Sequence, residues 1–195
     1  MTTEFAIADT SAPTDGVRLS QARFRVLLQT LARPCQPQDL PGCATTWDSF
    51  QAIASVLIDH ETSVVCLPDD PELAEWLAFR CDAVPTRLLE DADFVLAASP
   101  EAALPLSRFK LGSEAFPDRS ATLVVGVDGM IPDGALMFGP GLEAPTRFGV
   151  TGQGADALLT ERRALEDLFP RGLDIFFLAG GKVAGLPRST RTRGA

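Results

Sequence analysis

The chain has no tyrosine, a single histidine and, among its 17 cationic residues, only two lysines, Lys110 and Lys182. Without tyrosine there is no phenol to act as a catalytic acid, and with His60 as the only imidazole a zinc centre built on several histidines is excluded by count. His60 lies in Asp59-His60-Glu61-Thr62 and reads as a surface turn residue. The four cysteines, Cys35, Cys43, Cys66 and Cys81, show no C-x-x-C spacing and are expected to be unpaired thiols. No apolar run reaches the roughly 18 residues of a membrane span. The start, Met1-Thr2-Thr3-Glu4-Phe5, has neither the basic nor the apolar region of a secretory signal, so a cytoplasmic location is expected. Positive charge is scarce as well. A formal charge of -9 argues against a nucleic-acid partner, because phosphate backbones are held by clustered Lys and Arg.

What is present alternates between helix and strand signals. Residues 1–17 are polar, contain Pro13 and Gly16, and read as a flexible arm. Ser20 is placed to cap a helix with an apolar stripe of Phe24, Leu27, Leu28 and Leu31, ended by Pro34. A second helix carries Trp47, Phe50, Ile53, Ala54 and Leu57 on one face, followed by a strand over 63–67 and a helix opened by Asp70-Pro71. Residues 93–97 read as a strand, Ser99-Pro100 as the start of a helix through Leu104, and 121–127 as a buried β-branched strand. Turns at Asp128-Gly129 and Asp133-Gly134 flank a strand over 135–138, and 147–151 reads as a weaker one. A helix over 155–169, with Leu158, Leu165 and Leu168 inward, runs into Phe169-Pro170-Arg171-Gly172. A hairpin then starts at Asp174, turns at Gly180-Gly181 and stops at Pro187. The pattern predicts one α/β domain over 18–190, an α/β sandwich with a mixed sheet. Residues 191–195, with Arg191 and Arg193, read as a solvated basic tail.

Two glycine stretches suggest an enzyme. Gly152-Gln153-Gly154-Ala155-Asp156-Ala157 fits G-x-G-x-x-A, follows a candidate strand and opens a helix, with Asp174 near the distance expected of a ribose-binding acid. On that reading the chain is a small dinucleotide-binding oxidoreductase with affinity for a nicotinamide cofactor. Against it, Arg147 and Gly149 weaken the strand, and Asp156 sets a carboxylate beside the pyrophosphate. Gly139-Pro140-Gly141-Leu142-Glu143-Ala144 fits the same expression, yet Pro145 follows at once and leaves no helix as an anion platform. A Cys35 nucleophile working with His60 is the other candidate pairing.

The order of five stretches carries a resemblance. They are Phe24-Arg25 to Leu28 with Leu31-Ala32-Arg33-Pro34; Leu57-Ile58-Asp59 with Glu61-Thr62; Gly112-Ser113 to Pro117 with Ala121-Thr122-Leu123; Gly139-Pro140-Gly141-Leu142; and the terminal F-P-x-G-x-D and Leu186-Pro187-Arg188-Ser189-Thr190. Spanning residues ~20 to 192, the chain resembles the PhnH subunits of the bacterial carbon-phosphorus lyase system. It departs from them at Cys35, where the family usually has Gly after the helix-ending Pro, at Ser113, where Thr is common, and at Arg171, often apolar.

The resemblance implies a three-layer α/β/α sandwich similar to the large domain of type I pyridoxal-phosphate transferases, without that cofactor, and a homodimer. It also implies membership in a multi-subunit complex, whose other carbon-phosphorus lyase subunits are then this chain's partners. That complex transfers alkylphosphonate to the ribose C1 of ATP, displacing adenine and giving ribose 1-alkylphosphonate 5-triphosphate. No catalytic residue, cofactor or metal ligand is assigned to this chain. Arg188, fixed in the terminal motif, is the first candidate for an interface or phosphate contact, with a salt bridge to Asp174 as its plain structural alternative. Arg25 and Arg33, in the first matching stretch, are further candidates.

Overall fold

The computed structural model describes residues 14–193. Helix α1 (Asp15–Ala32) starts at Thr14, whose side chain accepts from the Val17 N–H, so residues 15–17, expected in the arm, form its first turn. Residues 1–13, the rest of that arm, lie outside the described residues. There follow β1 (Gln38–Asp39), α2 (Thr46–Leu57), β2 (Ser63–Leu67), α3 (Pro71–Cys81), β3 (Val84–Pro85), β4 (Phe94–Ala97), β5 (Thr122–Gly126), β6 (Gly129–Phe138) and β7 (Thr146–Thr151). The chain continues through α4 (Ala155–Ala164), β8 (Asp174–Ala179), β9 (Lys182–Leu186) and β10 (Arg191–Arg193). Helix α2 begins with a capping box in which Thr45 and Asp48 satisfy each other's backbone N–H, and Asp70 caps α3 ahead of Pro71.

Seven strands form one sheet in the order β1-β9-β8-β5-β4-β2-β3. The run β8-β5-β4-β2-β3 is parallel, and β9 and β1 are added antiparallel, so the sheet is mixed as the sequence suggests. Both faces are buried, and each strand divides its side chains between two cores. Val64, Leu96, Val124, Phe176 and Leu178 meet α1, α2 and α3 residues such as Leu27, Ile53 and Leu77. Val65, Val95, Leu123, Val125, Ile175 and Phe177 face the other way, toward Phe148, Met137, Leu158 and Leu106. That second outer layer differs from the expected all-helical one. It consists of α4 together with a three-stranded antiparallel sheet, β10-β6-β7.

Several expectations are corrected. The helix expected through Leu104 is a single 3-10 turn over Glu101–Ala103, because Pro105 follows and removes the N–H that would extend it. The helix over 155–169 is α-helical only to Ala164 and tightens into a 3-10 turn over Leu165–Leu168. Residues 191–193, expected in a free tail, form β10 and pair with Leu136, Met137 and Phe138; residues 194–195 lie outside the described range. On α1 the inward residues are Leu27 and Thr30, whereas Phe24 and Leu28 are 49% and 57% exposed. The helix is rolled because its Thr30 carbonyl lies so near Gly185 that a Cβ there would come within 2.5 Å of it. Only glycine on β9 permits that approach.

The starts of β2 and β4 are joined by Asp93. Its carboxylate accepts from the Ser63 N–H (2.9 Å), the Ser63 hydroxyl (2.7 Å) and the Lys110 ammonium (2.5 Å). Partial burial pushes its pKa up, but the Lys110 and Ser63 contacts outweigh this and hold it below the usual carboxylate range. A depressed native pKa contributes stability that is present above the unfolded value and is lost as pH falls through the native one. The carboxylate is 38% exposed, so the contribution is screened to less than about 1 kcal/mol. Urea unfolding at pH 7 and pH 3 should show that Asp93→Asn loses less stability on acidification than the native chain, by up to that amount.

Candidate functional site

Arg188 stands just past β9, where Pro187 ends the strand, and Asp174 is the first residue of β8. Asp174 Oδ1 accepts from the Arg188 backbone N–H at 2.7 Å, and the guanidinium grips both carboxylate oxygens, Nε lying 3.1 Å from Oδ2. Nη1 donates to the Pro117 carbonyl in the 3-10 turn (Pro117–Arg119) that leads into β5. Both side chains are about one-fifth exposed. Three segments distant in sequence thus meet on one planar, five-donor group.

A second arginine holds the same C-terminal passage from below. Arg162, on α4 and only 3% exposed, donates to the carbonyls of Pro187 (2.8 Å) and Thr190 (3.1 Å) and faces Glu166, one helical turn on, at 3.7 Å. Burial pushes its pKa down while the Glu166 charge opposes the shift. The inward face of this helix is therefore Leu158, Arg162 and Glu166, with Leu165 and Leu168 only partly buried. Glu166 accepts from the Thr192 N–H at 3.0 Å, and Arg191 donates to the Glu166 carbonyl. The only sequence signal for this cluster was the i, i+4 pairing of Arg162 with Glu166.

The other candidates are dispersed. Arg25 is exposed on α1 beside Ser20, Phe24 and Ser55, and Arg33 is exposed at the C-terminal cap of the same helix. Among the described residues neither side chain has a hydrogen bond or ion pair. His60 is exposed, 4.0 Å from Glu61. Lys110 is taken by Asp93, and Lys182 by Asp39 at 2.6 Å. The four cysteines are free thiols. Burial pushes the Cys35 thiol up to about 12, a protonated group and no nucleophile, although the nearby Arg162 charge pulls the other way. Its backbone φ is 63°, in the left-handed region that glycine adopts most readily. Among the described residues no group of three or more His, Cys, Asp or Glu is placed to hold a metal ion.

The dinucleotide reading is overturned by the surroundings of Gly152-Gln153-Gly154. Strand β7 before it belongs to the small antiparallel sheet, so the loop lies in no parallel βαβ unit. A Cβ on Gly154 would come within 2.7 Å of the Glu101 N, and that N–H donates to the Gln153 carbonyl. Protein backbone thus occupies the side of the loop where a pyrophosphate would approach. Asp174, the supposed ribose acid, sits at the N-terminal start of its strand and is engaged by Arg188.

A cleft of about 380 Å³ that the sequence did not signal is lined by Arg23, Asp48, Gln51, Ser55, Trp76 and Arg80 of α1, α2 and α3. Apart from Arg80, its polar side chains are already engaged. Gln51 Oε1, with the amide oriented accordingly, accepts from both the Trp47 and Trp76 indoles at 3.2 Å. Arg23 donates to the Pro41 carbonyl, Ser55 to that of Ala52, and Asp48 caps Ala44 and Thr45. No base, acid or nucleophile in it is poised to act.

The molecule is a mixed-sheet α/β protein whose terminal motif is locked by its own arginines. The family model of the bacterial phosphonate metabolism protein PhnH matches residues 12–193, and the chain belongs to that family. It is also 31% identical over 184 residues, 91% of this chain and 92% of the relative, to the alpha-D-ribose 1-methylphosphonate 5-triphosphate synthase subunit PhnH of Rhizobium meliloti (strain 1021).

If Arg188 is a structural clamp, its loss must show in the isolated chain. Arg188→Ala should lower the unfolding free energy by about 2–4 kcal/mol, since it leaves a partly buried carboxylate unpaired. Arg188→Lys, with one point charge in place of the fork, should recover less than half of that. A double-mutant cycle with Asp174→Ala should return a coupling of about 1–3 kcal/mol.

Proposed function

We propose that this chain is an accessory subunit of a carbon-phosphorus lyase core complex. In this reading the complex converts alkylphosphonate and ATP to ribose 1-alkylphosphonate 5-triphosphate and adenine, and the chain contributes shape or one edge of the site rather than the reacting groups. The observation that carries it is the match to a named synthase subunit over nine-tenths of both chains. The inventory supports it. Displacing adenine requires an acid for the leaving base and positive charge around a triphosphate. Here the one histidine is on a surface turn, both lysines are paired with carboxylates, and Arg162 and Arg188 are spent on internal contacts.

The kinship with the large domain of type I pyridoxal-phosphate transferases, without the cofactor, belongs to the same proposal. A Schiff-base lysine has to be desolvated or set beside another cation, and neither Lys110 nor Lys182 is in such a place. Residues 18–190 are taken as one folding unit, extended at both ends by the turn at Asp15 and the strand at Arg193. Within it Arg25 and Arg33 are among the exposed cations available to a partner, while Arg188 and Asp174 shape the surface presented to it. The chain is placed in the cytoplasm; among the described residues no helix is long and apolar enough to cross a membrane.

Two chains pair as an isologous homodimer in this reading. Static light scattering at micromolar concentration should report twice the chain mass, and a strictly monomeric chain across that range would refute the pairing. Incubating the purified chain with ATP and methylphosphonate should release no adenine. Deleting its gene should abolish growth on methylphosphonate as sole phosphorus source. Adenine release by the pure chain, lost in His60→Ala or Arg188→Ala, would make this subunit the enzyme.

A further inference from the structure

The main sheet is left unfinished at one edge. Strand β3 is two residues long, and its pairing ends where the Val84 and Thr86 N–H groups donate to the carbonyls of Thr62 (3.3 Å) and Val64 (2.9 Å). Strand β2 continues to Leu67. On its inner side the Ser63 and Leu67 carbonyls accept from Asp93 (2.9 Å) and Ala98 (2.7 Å). Backbone groups of successive residues point to alternate sides of a strand, so the N–H and C=O of Cys66 face outward, beyond the end of β3. A groove of about 570 Å³ runs along this open edge, lined by Val65, Cys66, Leu67, Ala74, Thr86 and Leu89. Its lining is mainly apolar, and Val84 and Leu88 nearby in the chain are 50% and 54% exposed. Open strand edges are places where another chain adds a strand; the two-residue β3 with Pro85 blunts the first part of this edge, and the outward Cys66 groups lie beyond it.

Charge says what kind of chain fits. From Asp69 to Asp91 there are seven carboxylates and two arginines, a net -5 out of -9 for the whole protein. Asp70 caps α3, and the other six carboxylates are exposed. A second copy docking here across a two-fold axis would bring these carboxylates against their own duplicates, which is unfavourable. A basic segment would be drawn to them.

We propose that this edge docks an extended, basic segment of a non-identical subunit, which lies beside β2 and continues the line of β3. The proposal rests on the subunit reading above and adds the surface and the chemistry of the partner. It is tested by co-expressing the chain with the companion subunits of its synthase, with a photo-crosslinking benzoylphenylalanine in place of Leu88. The expected crosslink joins it to a Lys- and Arg-rich stretch of a companion; a crosslink only to a second copy of this chain, or none, overturns the proposal. In parallel, Leu88→Ser, alone and with Val84→Ser, should weaken capture of the companion by about tenfold while the light-scattering mass of the isolated chain is unchanged. Leu88 lies outside the regular strands, so the single variant keeps the test available where the pair does not fold. Undiminished capture by a folded variant overturns the edge and leaves the subunit reading standing. Failure of the native chain to capture any companion overturns both.

Discussion

Everything C-terminal to β9 depends on arginine to carbonyl and arginine to carboxylate contacts made in the interior. The chain crosses from the main sheet to the small one between Leu186 and Arg191, and such a crossing leaves backbone carbonyls with no strand partner. Arg162 supplies donors to two of them, Pro187 and Thr190; Arg188 and Arg191 add contacts to Pro117 and Glu166. Burying a guanidinium is costly unless its hydrogen bonds and counter-charge are in place, and Glu166 and Asp174 provide that counter-charge. β10 reaches β6 only after this passage, which is therefore one tie between the two sheets, the two-residue link from β5 to β6 being another.

Much of the architecture was legible in the sequence because the strands obey simple rules. The runs at 63–67, 121–127 and 174–179 are continuous and apolar, as strands buried on both faces must be, and the glycine pair at 180–181 marks the hairpin. The helices were less legible in orientation than in existence. Apolar spacing on α1 admits more than one inward face, and the close backbone approach of Gly185 to Thr30 decided against Phe24 and Leu28. On α4 the spacing favoured Leu165 and Leu168, yet the inward positions went to a charged pair whose partners lie some 25 residues further along, beyond the reach of any local pattern. The same holds for β10, three residues with no apolar alternation that are a strand only because β6 offers an edge.

At the candidate site the salt bridge to Asp174, the plain structural alternative, is formed: the Arg188 guanidinium is divided between that carboxylate and a carbonyl of its own chain. Gly152-Gln153-Gly154 met the dinucleotide expression, yet Gly154 takes its left-handed conformation where the loop packs closely against Glu101. Gly141 is a parallel case, with a Cβ position 2.1 Å from the Ala32 carbonyl at the end of α1. In each case glycine permits an approach between two backbone segments, and the partner segment is invisible to a local expression.

The division of charge within the molecule bears on how it acts. Arginines are the donors in the C-terminal passage, where they are buried or half-buried, whereas the carboxylates of the α3 to β4 segment are mostly exposed at the opposite end of the sheet order. A protein that processed a triphosphate alone would be expected to show the reverse, with cations free in a cleft and carboxylates kept away or paired. The cleft between α1, α2 and α3 has both Asp48 and an already committed Arg23 in its wall. On the accessory-subunit reading, positive charge for the substrate comes from another chain, and a long-range attraction between that chain and this acidic face favours their encounter.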